Sequence, residues 1–231
     1  MKALLLDLYD TILDDEFFDF HAGLEYLHET YFAEECSLED FLSFSVSFIP
    51  LYQDRNVTNK EVSFLKDEYG VYCSQLEFVP DEEPSEIEWN VMNHMQKESM
   101  EKEVPEILEY FHQKGIRLYI ITNSIFTSVC HKRLLDEMGI GKYFDGVFSS
   151  TDFGLRKPAI EFYDHAVKEM MKELPDLKKE DITVIGNDFD ADIQSAINAG
   201  LKAVWLNKTD DGEKHEGITT AKSLTELKAI I

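Results

Sequence analysis

Short apolar runs alternate with amphipathic helical segments along most of this chain. The first run, Ala3 to Leu6, ends on the sequence Asp7-Leu8-Tyr9-Asp10-Thr11. Four more apolar runs follow residue 104, each separated from the next by a segment with helical periodicity, at 117–121, 147–149, 182–185 and 203–206. The alternation predicts an α/β fold with a parallel sheet of about five strands and helices on both faces.

Residues typical of helix ends predict several boundaries. Ser37 and Ser223 are expected at helix N-caps, and Thr58-Asn59-Lys60-Glu61 fits a capping box. Pro158 suits the first turn of a helix that runs to residue 172. The other helices predicted after residue 104 are 105–114, 126–138 and 191–199.

The stretch from residue 14 to residue 100 has a different character. It is rich in aromatic and acidic residues at helical spacing, and none of it has the pattern of a parallel core strand. The aromatic residues are expected to pack between helices. We therefore predict a core domain formed by residues 1–13 and 101–231, with residues 14–100 inserted as a helical domain over the strand ends.

Charge excludes some classes of partner. The chain has 22 Lys and Arg against 46 Asp and Glu, a formal net charge of −24. Such a field repels nucleic acid and anionic membranes. It also opposes a phosphate ester, so a phosphate-binding site here needs a local cation such as Mg²⁺ or a lysine.

The cysteines and the first residues of the chain indicate the cellular compartment in which the protein is expected. Cys36, Cys73 and Cys130 are widely spaced and odd in number, as expected of reduced thiols rather than of a disulfide or zinc framework. The apolar strand begins at once and no apolar run has the length of a membrane-spanning helix. We expect a cytoplasmic protein that acts on a small molecule.

Polar residues follow four of the predicted strands. Asp7 follows the first, Thr122-Asn123-Ser124 the second, and Gly186-Asn187-Asp188 the fourth, while Lys157 precedes a helix after the third. An aspartate in such a crevice can act as a covalent nucleophile. The hydroxyl and amide can bind phosphoryl oxygens, and carboxylates up to Asp192 can hold Mg²⁺. Each residue also has an ordinary structural explanation as a turn, cap or surface residue.

The inserted stretch offers one candidate for substrate binding. Arg55 is its single arginine and can meet an anionic substrate, although an exposed surface arginine explains it equally simply.

Taken together, these motifs resemble those of the haloacid dehalogenase superfamily of aspartate-nucleophile hydrolases. The resemblance covers nearly the whole chain through four segments: Leu4 to Ile12, Ile120 to Ser124, Lys157-Pro158, and Val184 to Asp192 with the residues up to Asn207. It implies a Rossmann-like core, a helical cap of the C1 type inserted after the first motif, and a Mg²⁺-dependent phosphatase.

The resemblance also implies roles by position. Asp7 is then the nucleophile, Thr11 supports the first loop, Thr122 and Asn123 bind the phosphoryl group, and Lys157 organises the charge. The implied metal ligands are Asp7, the backbone carbonyl of Tyr9, Asn187, Asp188 and Asp192.

Two positions depart from the family pattern. Tyr9 stands where the family's phosphatases carry a second aspartate as general acid and base, and a phenol with a pKa of about 10 is a poor base at neutral pH. Asp10, one residue further on, is a candidate to replace that aspartate as general acid and base. Asn187 stands where a metal-binding aspartate is usual, which weakens metal binding without removing it.

Three hypotheses follow from these features. The leading one is a Mg²⁺-dependent phosphatase of small phosphate monoesters that forms an aspartyl phosphate at Asp7. The second is a metal-free 2-haloacid dehalogenase, because tyrosine at position 9 is similar to those enzymes. The third is a binding or regulatory module that has kept the fold and lost the reaction.

Overall fold

The computed structural model describes residues 2–209 and 215–231 of the chain. The strands of its main sheet are β1 (Ala3–Leu6), β4 (Arg117–Thr122), β5 (Gly146–Ser149), β6 (Ile182–Gly186), β7 (Lys202–Leu206) and β8 (Thr219–Ala221). They are all parallel and lie in the order β5-β4-β1-β6-β7-β8. A second, antiparallel pair consists of β2 (Asp14–Phe18) and β3 (Gln96–Ser99). The predicted α/β architecture with a Rossmann-like parallel sheet is confirmed.

Eleven α-helices occur in the described ranges. They are α1 (Phe20–Leu27), α2 (Leu38–Ser45), α3 (Ile49–Thr58), α4 (Gly70–Gln75), α5 (Pro84–Met95), α6 (Val104–Gln113), α7 (Ser128–Glu137), α8 (Ser150–Phe153), α9 (Ile160–Glu173), α10 (Ser195–Asn198) and α11 (Leu227–Ile230). Shorter 3₁₀ and π-helical turns complete the helical structure, at Val46–Phe48, Gly141–Tyr143, Lys179–Asp181, Leu224–Glu226, His28–Phe32, Phe64–Tyr69 and Phe189–Gln194. None of the helices in residues 2–209 and 215–231 combines the length and the apolar character needed to cross a bilayer.

The central strand β1 is buried on both faces of the sheet. Leu4 and Leu6 join a hydrophobic cluster that includes residues of α6 and α7, whereas Ala3 and Leu5 join a second cluster with α9 and α10. Alternate side chains of a strand point to opposite faces, so a strand covered on both sides must be apolar throughout. This burial places the end of β1 in the middle of the sheet's carboxyl edge.

Five of the α-helices lie between β2 and β3 in the chain, and we call residues 19–95 the helical insertion. Its two ends are held together because Phe18 pairs with Gln96 across the β2–β3 ribbon. The predicted packing of aromatic side chains between helices is confirmed, for example by the stacked rings of Phe41 and Tyr72, whose centroids lie 3.9 Å apart. The exact limits of two separate domains stay a prediction.

The predicted capping box at Thr58 is wrong, although the predicted N-caps at Ser37 and Ser223 are confirmed. Thr58 is the last residue of α3, and its hydroxyl donates to the Asp54 carbonyl at 3.0 Å. Asn59 follows with φ 55°, a left-handed conformation that asparagine adopts readily and that ends helices.

Two further expectations need correction. Pro158 does not lie in a first helical turn, because α9 begins at Ile160 with Ala159 as its N-cap. The sheet has six strands rather than about five, since Thr219–Ala221 pairs with β7 at the edge. That edge strand is short, and two of its three residues, Thr219 and Thr220, are exposed. Because an exposed edge strand needs few apolar residues, its sequence lacks the apolar pattern that identified the other five strands.

Candidate active site

Asp7 lies in the crevice at the carboxyl edge of the sheet, directly after β1. Its backbone N–H donates to the Ile185 carbonyl of β6 at 2.8 Å, which fixes where the side chain leaves the sheet. The residue is only 7% exposed. Burial raises the pKa of the Asp7 carboxyl to about 7, although the neighbouring ammonium group of Lys157 lowers it. A buried carboxylate in this place depends on that cation.

Lys157 joins two buried carboxylates. Its ammonium group donates to Asp7 Oδ1 at 2.5 Å, to Asp192 Oδ1 at 2.6 Å and to the Ile121 carbonyl at 3.2 Å. A lysine has three N–H donors, so all of them are used. Although burial lowers the pKa of Lys157, Asp192 and Asp7 raise it well above its usual range. Lys157 therefore stays charged and offsets one of the two negative charges.

Asn123 holds the backbone of Lys157 in place. Its Oδ1 accepts the Lys157 N–H at 2.8 Å, and its Nδ2 donates to the Lys157 carbonyl at 3.0 Å. The sequence predicted that Asn123 binds the phosphoryl group, which stays a prediction. In the structure the amide acts on Lys157.

Asp192 lies behind Lys157 rather than in the open crevice. Its Oδ2 accepts the backbone N–H of Asp188 at 3.1 Å, and its other oxygen is bound to Lys157. The carboxyl packs against Gly186, where a Cβ atom would lie 2.3 Å from Asp192 Oδ2. Glycine at position 186 thus provides the space in which this carboxyl reaches the lysine.

Two side-chain oxygens, from Thr11 and Asn187, converge beside Asp7. Thr11 Oγ1 lies 3.3 Å from Asp7 Oδ2 and 3.2 Å from Asn187 Oδ1. A threonine hydroxyl has one proton, so it cannot donate to both oxygens at once. An oxygen-rich position with one shared proton fits a hard cation such as Mg²⁺.

The other residues predicted to hold a metal have different contacts. Asp188 is exposed and caps the turn Phe189–Gln194 by accepting the Ala191 N–H at 2.8 Å, while Asp192 is bound to Lys157. Among the described residues, no three His, Cys, Asp or Glu side chains form a group that could hold a metal ion. Asn187 supplies a neutral oxygen beside Asp7 and Thr11 in place of a carboxylate.

Thr122 ends β4, the strand next to β1. Its side chain is buried, and Oγ1 has no hydrogen-bond partner. Burying a hydroxyl without a partner costs about 1–3 kcal/mol, so the group is suited to a ligand oxygen. This observation agrees with the predicted role of Thr122 in binding a phosphoryl group.

The Tyr9 hydroxyl contacts β3 and α7 rather than the carboxylates of Asp7 and Asp192. The hydroxyl oxygen lies 2.7 Å from Gln96 Nε2 and 3.2 Å from His131 Nε2. Burial raises the pKa of Tyr9 well above its usual value and lowers the pKa of His131. Both groups are therefore neutral near pH 7.

A cavity of about 530 Å³ opens between the helical insertion and the strand ends. Its volume lies within the usual range for small-molecule sites. Most of its side chains are aromatic, aliphatic or amide groups. The lining residues are Tyr9, Asp15, Phe18, Phe20, Ile49, Tyr52, Gln53, Arg55, Asn56, Gln96, Asn123, Ser124, Ile125 and Phe126.

Arg55 contributes positive charge to this cavity. Its Nη1 donates to the buried carboxylate of Glu61 at 3.2 Å, and the Nε of Arg156 lies 3.5 Å from the other oxygen of the same carboxylate. Two guanidinium groups thus share one carboxylate and keep a net positive charge. Arg55 thus lines the cavity, and its contact with an anionic substrate stays a prediction.

Several residues around the site were not identified from the sequence. Gln96, His131 and Glu61 are distant from the motifs in the chain and carry no local signal of a functional role. Arg156 is adjacent to the motif residue Lys157, but its ion-pair partner, Glu61, lies in the helical insertion and could not be identified from the local sequence.

Comparisons with known proteins agree with this geometry. A family model described as haloacid dehalogenase-like hydrolase matches residues 1–200. A glyceraldehyde 3-phosphate phosphatase from Methanocaldococcus jannaschii is 27% identical, covering 100% of this chain and 97% of its relative. The pyrimidine 5'-nucleotidase YjjG from Escherichia coli is 27% identical, covering 93% of this chain and 92% of the relative.

A solved structure shows the same fold. The crystal structure of a 2-haloacid dehalogenase from Pseudomonas syringae pv. Tomato has a TM-score of 0.66 and 18% identity, covering 100% of this chain and 97% of that one. At that identity the likeness concerns the fold and does not distinguish between reactions.

Proposed function

The chain belongs to the haloacid dehalogenase-like hydrolase family, and we propose that it is a Mg²⁺-dependent phosphatase of small phosphate monoesters. The observation that carries the proposal is the pairing of buried Asp7 with Lys157, beside the unpartnered hydroxyl of Thr122. This arrangement offers a nucleophile, a cation and a donor for a phosphoryl oxygen at one place. Two relatives of nearly the same length are named as a phosphatase and a nucleotidase.

Asp7 attacks through the oxygen that Lys157 does not bind. Lys157 holds Oδ1, so Oδ2, which faces Thr11, forms the bond to phosphorus. The bond between phosphorus and the leaving oxygen breaks, and its electron pair stays on that oxygen. Water then attacks the phosphorus of the aspartyl phosphate, which releases inorganic phosphate and restores Asp7.

The side-chain oxygens of Asp7 and Asn187, with the backbone carbonyl of Tyr9, would hold Mg²⁺. When bound, the ion supplies positive charge that offsets the charge of the phosphoryl oxygens. Asn123 keeps Lys157 in place, and Thr122 donates to a phosphoryl oxygen.

The test is hydrolysis of p-nitrophenyl phosphate at neutral pH, with Mg²⁺ and with EDTA. We expect turnover that requires Mg²⁺ and is lost in Asp7→Asn. Asp176→Asn is the matched control, because Asp176 is exposed and lies in the connection that enters β6 at the opposite edge of the sheet, so it should retain activity. Equal rates in wild type and Asp7→Asn would reject Asp7 as the nucleophile.

One observation favours a second candidate, a metal-free 2-haloacid dehalogenase. Tyr9 provides no carboxyl group at the position of the usual general acid, and a departing halide needs no proton. Halide release from 2-halo acids that persists in EDTA would favour this reaction, whereas its absence across a panel would eliminate it.

A further inference from the structure

The hydrogen bonds of His131 determine where the hydroxyl proton of Tyr9 points. His131 Nδ1 lies 2.8 Å from the backbone carbonyl oxygen of Thr127, which can only accept, so Nδ1 carries a proton. In the neutral ring the other nitrogen, Nε2, is then a bare acceptor. Tyr9 therefore donates its hydroxyl proton to His131 and accepts from Gln96.

Lys157 and Tyr52, which could also donate a proton near the cavity, already donate to other acceptors. All three N–H groups of Lys157 have acceptors. Tyr52 donates to the buried Glu68. Asp10 lines a separate cavity with Asp14 and Asn187. The candidate replacement at Asp10 is thus directed away from the cavity that Tyr9 lines.

Asp15 is the one carboxyl among the cavity-lining residues identified in the described chain. It lies on β2, directly opposite Glu98 of β3. The residue is exposed, yet partial burial and the nearby carboxylates of Asp10 and Asp14 raise its pKa. Asp15 is therefore the competing proton donor, which the variant Asp15→Asn tests.

The walls of the cavity favour a flat organic group. Phe20 and Tyr52 form an edge-to-face pair with centroids 5.5 Å apart, and Phe126 faces the same space. Phe18 also lines it and is 60% exposed, an apolar surface that a ligand can cover. Arg55 lies over the Tyr52 ring at 5.0 Å and provides positive charge.

We propose that the leaving group departs as an unprotonated, flat oxyanion, so that the enzyme prefers aryl and acyl phosphates to phosphates of aliphatic alcohols. This inference rests on the phosphatase function proposed above. It extends that function from phosphate monoesters in general to a defined chemical class.

The chemistry balances without a proton donor. As the Asp7 oxygen bonds to phosphorus, the leaving oxygen keeps the bonding electron pair and departs as a phenolate or carboxylate. Their conjugate acids have pKa values of about 10 and about 4. An aliphatic alkoxide is far more basic, with a conjugate acid about as weak as water, pKa about 16. In the second step both protons of the attacking water end on the released phosphate.

The experiment measures kcat/KM with Mg²⁺ for a series of leaving groups. The substrates are 4-nitrophenyl, phenyl and 4-methoxyphenyl phosphate, acetyl phosphate, and glycerol 1-phosphate as the aliphatic member. We expect kcat/KM to fall steeply with leaving-group pKa. Phenyl phosphate should exceed glycerol 1-phosphate by about 10²-fold or more, the factor that a general acid otherwise supplies.

Two variants test the source of any proton. Tyr9→Phe keeps the ring and removes the hydroxyl, and Asp15→Asn removes the exposed carboxyl. The ratio of kcat/KM between phenyl and glycerol phosphate should be the same in both variants as in wild type. A variant that loses the aliphatic substrate selectively would identify its residue as the acid and overturn the inference.

The outcomes separate this inference from the proposed function. Turnover of all the esters at similar rates would overturn the preference for acidic leaving groups and leave the phosphatase intact. No turnover of any ester or of acetyl phosphate would reject the phosphatase itself, and the inference with it.

Discussion

Replacing Lys157 with methionine removes the cation that lies between Asp7 and Asp192 while keeping a side chain of similar length. The two carboxylate oxygens lie 2.5 and 2.6 Å from the same lysine nitrogen, so they are at most about 5 Å apart. Both residues are buried, so water cannot screen them effectively. The substitution leaves two negative charges facing each other.

The expected cost follows from this distance. Two unit charges about 5 Å apart at an effective dielectric constant of about 20 repel by about 3 kcal/mol. This value agrees with the roughly 3–5 kcal/mol measured when one partner of a buried ion pair is removed. Lys157→Met should therefore lower the free energy of unfolding by about 3 kcal/mol at pH 7.

Protonation relieves the repulsion in the variant. One carboxyl then has a folded-state pKa above its unfolded value, so the folded variant binds more protons than the unfolded chain. Its stability is therefore greatest at low pH and declines as the pH rises through that folded-state pKa. The difference from wild type should be smaller at pH 5 than at pH 7.

Urea denaturation at pH 7 and pH 5 measures this directly, with Lys157→Met compared with Lys157→Met/Asp192→Asn. The double variant removes one of the two charges and should recover most of the lost stability at pH 7. Similar m-values would show that the unfolded states are comparable. An equal loss at both pH values, with no rescue by Asp192→Asn, would refute the electrostatic explanation.

Three further predictions concern metal binding, phosphoryl binding and the helical insertion. Asn187→Asp adds an anionic oxygen beside Asp7 and should lower the Mg²⁺ concentration for half-maximal activity about tenfold; an unmoved midpoint in a Mg²⁺ titration would contradict this. Thr122→Val should lower kcat/KM by one to two orders of magnitude without lowering Tm, because the hydroxyl has no protein partner, whereas Thr122→Ser should retain activity. Burial raises the pKa of Glu68 to about 8, so the folded state holds an extra proton between about pH 4.5 and pH 8 and this contribution to stability declines as the pH rises over that range. Thermal melts should therefore show Glu68→Gln gaining on wild type between pH 5 and pH 8, by up to about 3 kcal/mol, and parallel curves would exclude the effect.

The strand ends were predictable because their signal is local. Each apolar run of the core is followed by the residues that the sheet delivers to its carboxyl edge, so Asp7, Thr122 and Asn187 were identified together. Parallel strands end at one edge, and that rule joins residues more than a hundred positions apart. The fold and its crevice follow from such patterns.

The contacts of Tyr9 were not predictable in the same way. Its partners Gln96 and His131 lie on β3 and on α7, and neither position has an unusual sequence. Sequence reasoning recognised that a tyrosine replaces a carboxyl group at position 9. Only the packing of β3 and α7 around Tyr9 determines in which direction the hydroxyl proton of Tyr9 points.

Local patterns also failed where a distant partner competes for the same side chain. Glu61 has the spacing of a capping box with Thr58, but its carboxylate accepts from Arg55 and from Ser150 instead. The amide of Asn123, whose role in binding a phosphoryl group stays a prediction, also holds the backbone of Lys157. At Glu61 an interaction across the fold decides the role of the side chain.

The β2–β3 ribbon brings the two ends of the helical insertion together. The chain leaves the core at Phe18 and returns at its pairing partner Gln96, so the ribbon alone supplies loop closure, whose entropic cost grows only slowly with loop length. Helices within the insertion can therefore be lengthened, shortened or exchanged during evolution wherever they do not contact the loop before Lys157, which Glu61 reaches through Arg156. Selection can thus act on what the protein recognises separately from the bond that it breaks.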